Sequence, residues 1–266
     1  MNSIINLIGD ALGWLMYFSY NFLQDYFWAI LFFTFLTKIV LFPVSLMVQK
    51  NSIKMVKLQP EINFIKAPYF GNSEKISEEQ YELYKREHYQ PLADLIPLIL
   101  QLVLLMGVIN VINDPARHIF RSGAGTLDTM ALGMDLSSIP AETGGITFLI
   151  PLIAALSAWF MCFIQNHINV LQSEQSKINQ YGTMILSIGL SLYLGFFVKT
   201  GVGIYWTCSN LLSVAQLYLL NILMNPRKYI DYDALEKSRK ELEESSAFYK
   251  SSAKKLFEKD PYRKRE

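Results

Sequence analysis

Five long apolar runs mark the chain: Tyr26–Val48, Leu92–Asn113, Thr147–Gln165, Tyr181–Val198 and Val202–Met224. A helix needs about 20 apolar residues to cross the hydrocarbon of a bilayer, so runs of this length read as spans. They predict an all-α membrane protein with five transmembrane helices in a core over residues 26–224. Ahead of the core, Ile4, Ile5, Leu7, Ile8, Leu12, Leu15 and Met16 recur at roughly helical spacing, with Asn6, Gly9 and Asp10 between them. That pattern predicts an N-terminal amphipathic helix within residues 1–25, lying on the external membrane surface, with a sixth span as the alternative.

The segments between the runs are patterned too. Residues 49–91 open with "QKNSIKMVKLQPEINFIKA", where Ile53, Val56, Ile62 and Ile65 alternate with basic side chains. Pro68 and Gly71 then supply turn residues. "SEEQYELYKREHY" follows, with Ser77 and Gln80 in capping-box spacing. Two amphipathic helices forming a hairpin are expected. Residues 114–146 read as a loop, and residues 225–266 as a charged, mostly helix-compatible tail ending in "PYRKRE".

Charge orients the spans. The 49–91 segment holds Lys50, Lys54, Lys57, Lys66, Lys75, Lys85 and Arg86, and the tail has twelve basic against nine acidic side chains. The 114–146 loop holds only Arg117 and Arg121; Lys177 and Lys199 mark the two short loops. Basic loops favour the cytoplasm. The expected protein is therefore a multi-pass plasma-membrane protein with its N-terminus outside and C-terminus inside, a cytoplasmic hairpin and tail, and an external 114–146 loop. The first 37 residues contain no Lys or Arg and no Cys, unlike an ordinary signal peptide or a lipoprotein anchor.

Composition agrees: 52% of residues are hydrophobic and 18% charged, below the quarter typical of soluble domains. Cys162 and Cys208 fall inside the runs and read as small apolar residues. His88, His118 and His167 are scattered and make no site. There is no Walker loop, so neither nucleotide chemistry nor any other cofactor is implied.

One residue breaks the pattern. Lys38 sits ten residues from the cytoplasmic end of the first run, at a depth of about 15 Å. Its stem cannot carry the ammonium to the headgroups, and an uncompensated lysine at this depth costs roughly 2.5–3.5 kcal/mol. No Asp or Glu lies deep in any run; Asp94 and Asp114 stand at the ends of the second. Solvation must come from water, neutral polar groups or an arriving ligand. Thr34 and Thr37 flank the lysine, and Gln101 lies at a similar depth in the second run. Ser187 and Ser191 share a face of the fourth, while Ser209, Asn210, Ser213 and Gln216 line one face of the fifth. Such residues serve either as interhelical hydrogen-bond partners or as the walls of a wet cavity.

Several motifs resemble the YidC/Oxa/Alb family of membrane protein insertases, in matching order over most of the chain. "FLTKIVLFPVSL" is similar to the family's first core span, with a basic residue, Lys38, followed by Pro43. "MVKLQPEI" resembles the start of its cytoplasmic hairpin, "YQPLADLIPLILQL" its second span and "FLIPLIAALSAWF" its third. "GVGIYWTCSNLLSVAQLYLLN" resembles its fifth, including Tyr205-Trp206 and Ser209-Asn210. The family's usual basic residue is arginine; lysine keeps the charge but loses bidentate bonding to a carboxylate. The large external domain of some bacterial members has no counterpart, so the arrangement resembles the short, Gram-positive-like forms.

The resemblance implies a hydrophilic groove enclosed by the five spans, open to cytoplasm and lipid and closed outside, that receives nascent membrane proteins. The substrate-groove residues would be Lys38, Thr34, Thr37, Gln101, Ser187, Ser191, Ser209, Asn210, Ser213 and Gln216. The protein would be no enzyme. Its partners would be nascent membrane proteins and the lipid bilayer, with a ribosome held by the basic tail; the Sec translocon is admitted as a further one. The competing reading is a small-solute or lipid transporter using Lys38 as an anion site, although no inverted repeat is evident. A scaffold docking partners through hairpin and tail is a third.

Overall fold

The computed structural model describes residues 2–92, 96–120, 127–168 and 177–258. Asp94, Arg121 and the terminal "PYRKRE" therefore lie outside the described residues, as do the side chains of Ile4, Ile5, Leu7, Ile8, Lys177, Lys254 and Lys255. The helices are α1 (Asn2–Leu23), α2 (Tyr26–Lys66), α3 (Ser73–Arg86), α4 (Ile96–Asn113), α5 (Pro115–Ile119), α6 (Pro140–Thr143), α7 (Leu149–Ile168), α8 (Lys177–Phe197), α9 (Thr200–Leu223) and α10 (Tyr232–Glu258). Two short strands, β1 (Met130–Ala131) and β2 (Met134–Asp135), pair between α5 and α6. The chain is an all-α membrane protein. It divides into two units, one of residues 1–47 and 95–223, the other of 48–94 and 224–266.

In the first unit, apolar runs become helices because only intrahelical bonding satisfies backbone polar groups in hydrocarbon. Among the described residues, three helices are long and apolar enough to cross a membrane: α2, the helix ending at Ile168, and α9 with its extension to Tyr229. Val103–Asn113 and Tyr181–Phe197, parts of α4 and α8, are shorter apolar segments. α1 packs on α4 and α5. Its Met16 is fully buried, while Trp14, Phe18 and Phe22 stay exposed.

The core of this unit joins Met16 of α1, Ala29, Ile30 and Phe33 of α2, Val108, Val111 and Ile112 of α4, and Val202 and Tyr205 of α9. Lipid tails are as apolar as these side chains, so close packing rather than water exclusion holds such helices together. α7, α8 and α9 show the device. Gly195 of α8 faces the backbone of Pro151, and Gly203 of α9 faces the Ile150 side chain. Ala154 and Ala158 of α7 are fully buried. On the opposite faces Leu152, Ile153 and Leu156 of α7 and Ile185, Leu186 and Leu190 of α8 are exposed, a surface suited to lipid rather than water.

The described residues of the 114–146 segment are more ordered than a loop. Leu132 and Gly133 both have positive φ, 52° and 76°, which makes the tight turn joining β1 to β2. Leu136 is fully buried in the core. The carbonyls of Ser138 and Leu136 accept the amides of Thr200 and Gly201 at 2.8 and 2.9 Å, satisfying donors at the start of α9 that a helix cannot pair internally. Lys199 Nζ donates to the Asn113 carbonyl at 2.8 Å, closing the end of α4.

Asp135 organises this segment. Its Oδ1 accepts from Thr129 Oγ1 at 2.7 Å, from the Ser137 amide at 2.9 Å and from Ser137 Oγ at 2.7 Å. Burial pushes the carboxyl up, but these three bonds and the Lys199 charge outweigh it and hold it below the usual carboxylate range. A depressed folded-state value stabilises the fold above the unfolded pKa of about 3.9 and loses that contribution as pH falls through the folded value. Asp135→Asn should therefore melt lower than the parent at neutral pH, and its melting temperature should fall less between pH 5 and pH 3, as scanning calorimetry in detergent would register.

In the second unit, residues 48–66 continue α2 without interruption, so the first amphipathic helix of the expected hairpin is the extension of the first apolar run. Residues 67–71 turn, with Gly71 at φ +92°, and α3 begins at Ser73, one turn ahead of the Ser77–Gln80 pair. The cap is Asn72, whose side chain accepts the Lys75 amide at 3.1 Å. That bond makes Ser77 an interior residue. Leu58 and Ile62 pack with Leu83 and Tyr89. Arg86 pairs with Glu61 on the exposed surface, where an ion pair adds little.

The tail is docked on this hairpin. Gln49 Nε2 donates to the Met224 carbonyl at 2.9 Å, and buried Asn63 Nδ2 donates to Ser238 Oγ at 3.2 Å. Lys57 Nζ stands 4.9 Å from the Tyr229 ring centroid, a cation–π distance. The Tyr249 ring meets Phe70 edge-on at 5.6 Å and covers Gly71, where any Cβ would collide with it.

Candidate functional site

The site is built where α2 faces α9. Side chains carry the contact between them. Phe33 of α2 and Tyr205 of α9 meet at 6.0 Å between ring centroids. Beyond them, Lys38 Nζ donates to Ser213 Oγ at 2.7 Å. Ser213 Oγ in turn donates to the Ser209 carbonyl at 2.8 Å. Two turns after Lys38 on the same face of α2, Ser45 Oγ accepts from Gln216 Nε2.

Lys38 is half-buried, and among the described residues no carboxylate pairs with it. Its neighbours are neutral. Thr34 is fully buried and Thr37 nearly so; their hydroxyls donate to the Ile30 and Thr34 carbonyls of their own helix, each at 2.7 Å. An ammonium has three donors. One is committed to Ser213, which leaves two for water or an anionic visitor.

The remaining expected groove residues are distributed differently. Asn210 turns toward α7, donating from Nδ2 to Ser157 Oγ at 3.0 Å. Ser191 accepts the Trp206 indole N–H at 2.9 Å and donates to the Ser187 carbonyl at 2.8 Å, tying α8 to α9. Ser209 is buried, and its carbonyl serves Ser213. Gln101 is half-buried on α4. The structure thus gathers Lys38, Ser213, Gln216, Thr34 and Thr37 along the α2–α9 seam, and places Asn210, Ser187 and Ser191 in bonds to α7 and within α8 and α9.

Two participants were not singled out from sequence: Ser45 and Ser157. Ser45 follows Lys38 by seven residues, a same-face spacing that marks it in retrospect. Ser157 carries no such signal, because its partner lies 53 residues away.

Apolar helices joined by interior polar bonds, with a half-buried cation unpaired by any described carboxylate, define a multi-pass cell-membrane protein with a polar seam in its bundle. The chain belongs to the 60Kd inner membrane protein family, the YidC/Oxa/Alb group, whose family model matches residues 18–227. It is similar to a membrane protein insertase YidC of Polynucleobacter asymbioticus, with 25% identity over 225 residues, and to one of Cupriavidus pinatubonensis, with 27% over 226. A YidC of Ralstonia nicotianae is 26% identical over 226 residues. Each alignment takes in 84% of this chain and 37% of the relative, so the chain spans little more than a third of the length of these curated relatives.

Proposed function

We propose that the chain is a membrane protein insertase. The observation that carries this reading is the half-buried Lys38 ammonium, held by a neutral hydroxyl and left with two free donors. In the proposed mechanism five spans enclose a hydrophilic groove, open to the cytoplasm and to lipid and closed on the outside. The N-terminus is external, and the hairpin and tail are cytoplasmic. The polar N-tail or short loop of a nascent membrane protein faces a large barrier to entering hydrocarbon. The groove replaces part of its lost hydration, and Lys38 attracts its acidic residues. The apolar segment then partitions into lipid along the protein's flank, where burial is favourable. No covalent bond changes. The ribosome is the proposed partner of the tail's basic positions, and the Sec translocon a further partner.

A transporter using Lys38 as an anion site makes a different prediction. Purified protein in proteoliposomes should insert a short single-span substrate with an acidic N-tail, scored by protease protection, well above protein-free vesicles. The same vesicles should show no saturable uptake of small anions. Saturable anion flux without insertion would replace the insertase reading with the transporter.

A further inference from the structure

Ser213 is set apart from Thr34 and Thr37 by its bond to the Lys38 ammonium. Its proton is committed to the Ser209 carbonyl at 2.8 Å, so toward Lys38 it can only accept. The hydroxyls of Thr34 and Thr37 are likewise committed to carbonyls of α2, but neither is bonded to the ammonium. A lysine stem has four rotatable bonds, and its ammonium is a compact point charge without the planar fork of arginine. On α2 alone the ammonium would sample several positions. Its 2.7 Å bond to Ser213 fixes it instead against α9, 175 residues away in the chain.

We propose that Ser213 is the positioning residue for Lys38: it holds the ammonium against α9 with one N–H bonded and two turned to the incoming tail, and so sets the preference for acidic tails. This rests on the insertase reading above and assigns the selectivity of that same site. A hydroxyl suits the task because it is neutral. A carboxylate at 213 would satisfy the ammonium outright and compete with the tail, whereas a hydroxyl leaves the charge uncompensated. The Ser209 carbonyl completes the device by forcing the hydroxyl lone pair outward.

The test compares isosteres. Thr and Val have nearly the same shape and differ by the hydroxyl, and a helical Thr can make the same backward bond to the carbonyl four residues earlier. Parent, Ser213→Thr, Ser213→Val and Ser213→Asp proteins, each shown monodisperse in detergent, are reconstituted into vesicles. Insertion is measured for two substrates that differ only in tail charge. The ratio of acidic- to neutral-tail insertion is the readout, because a purely structural defect lowers both alike.

Ser213→Thr should keep the parent ratio, Ser213→Val should lower it roughly threefold, within what one hydrogen bond contributes, and Ser213→Asp should abolish the preference. A Val ratio equal to the Thr ratio overturns the positioning role even if insertion is robust. So does an undiminished ratio in Ser213→Asp. Absence of insertion by the parent itself would instead remove the insertase reading, and this inference with it.

Discussion

Lys38→Met should insert acidic-tailed substrates about tenfold less well than the parent, a change that corresponds to about 1.4 kcal/mol in the partition step. Two unit charges about 4 Å apart attract by roughly 4 kcal/mol at an effective dielectric near 20, and groove water would reduce this to about one or two. Neutral-tailed substrates should be affected little, and Lys38→Arg should retain activity because the guanidinium is cationic and can fork onto a carboxylate. Stability should move the other way. Methionine removes a desolvation cost, and Ser213 is not orphaned, since its proton still reaches the Ser209 carbonyl. Lys38→Met should therefore melt at or above the parent temperature in detergent. Equal insertion of both substrates by Lys38→Met and parent would reduce the lysine to a tolerated interior charge.

The largest loss of stability should come from a residue with no polar chemistry. A Cβ added at Gly195 would run into the Cα and Cβ of Pro151, and the first of these is backbone that cannot rotate away. Gly195→Val should force α7 and α8 apart, at a cost of about 1–3 kcal/mol or more for overpacking. The α9 contact beside them, Gly203 against Ile150, would be disturbed as well. Gly189 lies on the same helix, exposed, with nothing within 4 Å of its would-be Cβ. Gly189→Ala should be neutral or slightly stabilising, because alanine favours the helix by up to about 1 kcal/mol. Monodisperse yield and melting temperature of the two variants, side by side, check this. A Gly195→Val protein as stable as Gly189→Ala would mean that the helices are not packed as described.

Much of this architecture is legible in the residues, for reasons that are themselves physical. A membrane demands long apolar helices, so α2, α7 and α9 announce themselves by length alone. Lys38 stands out because nothing else in its run is charged. What the sequence could not supply is partnership. Ser209, Asn210 and Ser213 share a polar stretch of one helix, and spacing alone does not tell which points to α2 and which to α7. The choice depends on how α9 is rotated, which is set by Gly203 against Ile150 and Phe33 against Tyr205. The strand pair around Leu132 and Gly133 escaped notice because two-residue strands leave no alternation to detect. The Ser77–Gln80 pattern places the start of α3 a turn late, because Asn72, the residue that caps the helix, follows a glycine in an apparent turn. One of the bonds that dock the tail joins Asn63 to Ser238, a single serine in a charged stretch, a signal too sparse to see in advance.

That docking constrains how the chain can change in length. Gln49 meets Met224 and Asn63 meets Ser238, and each pair is separated by 175 residues. From the first bond to the second, both segments advance by the same number of residues, although one is unbroken α-helix and the other includes a 3-10 turn at Pro226–Tyr229 and the start of α10. Removing one residue at Ile230 or Asp231 would rotate Ser238 by about 100° around its helix and turn it away from Asn63. A single-residue insertion or deletion in the 225–237 stretch, or between residues 50 and 62, would therefore break the Asn63–Ser238 bond.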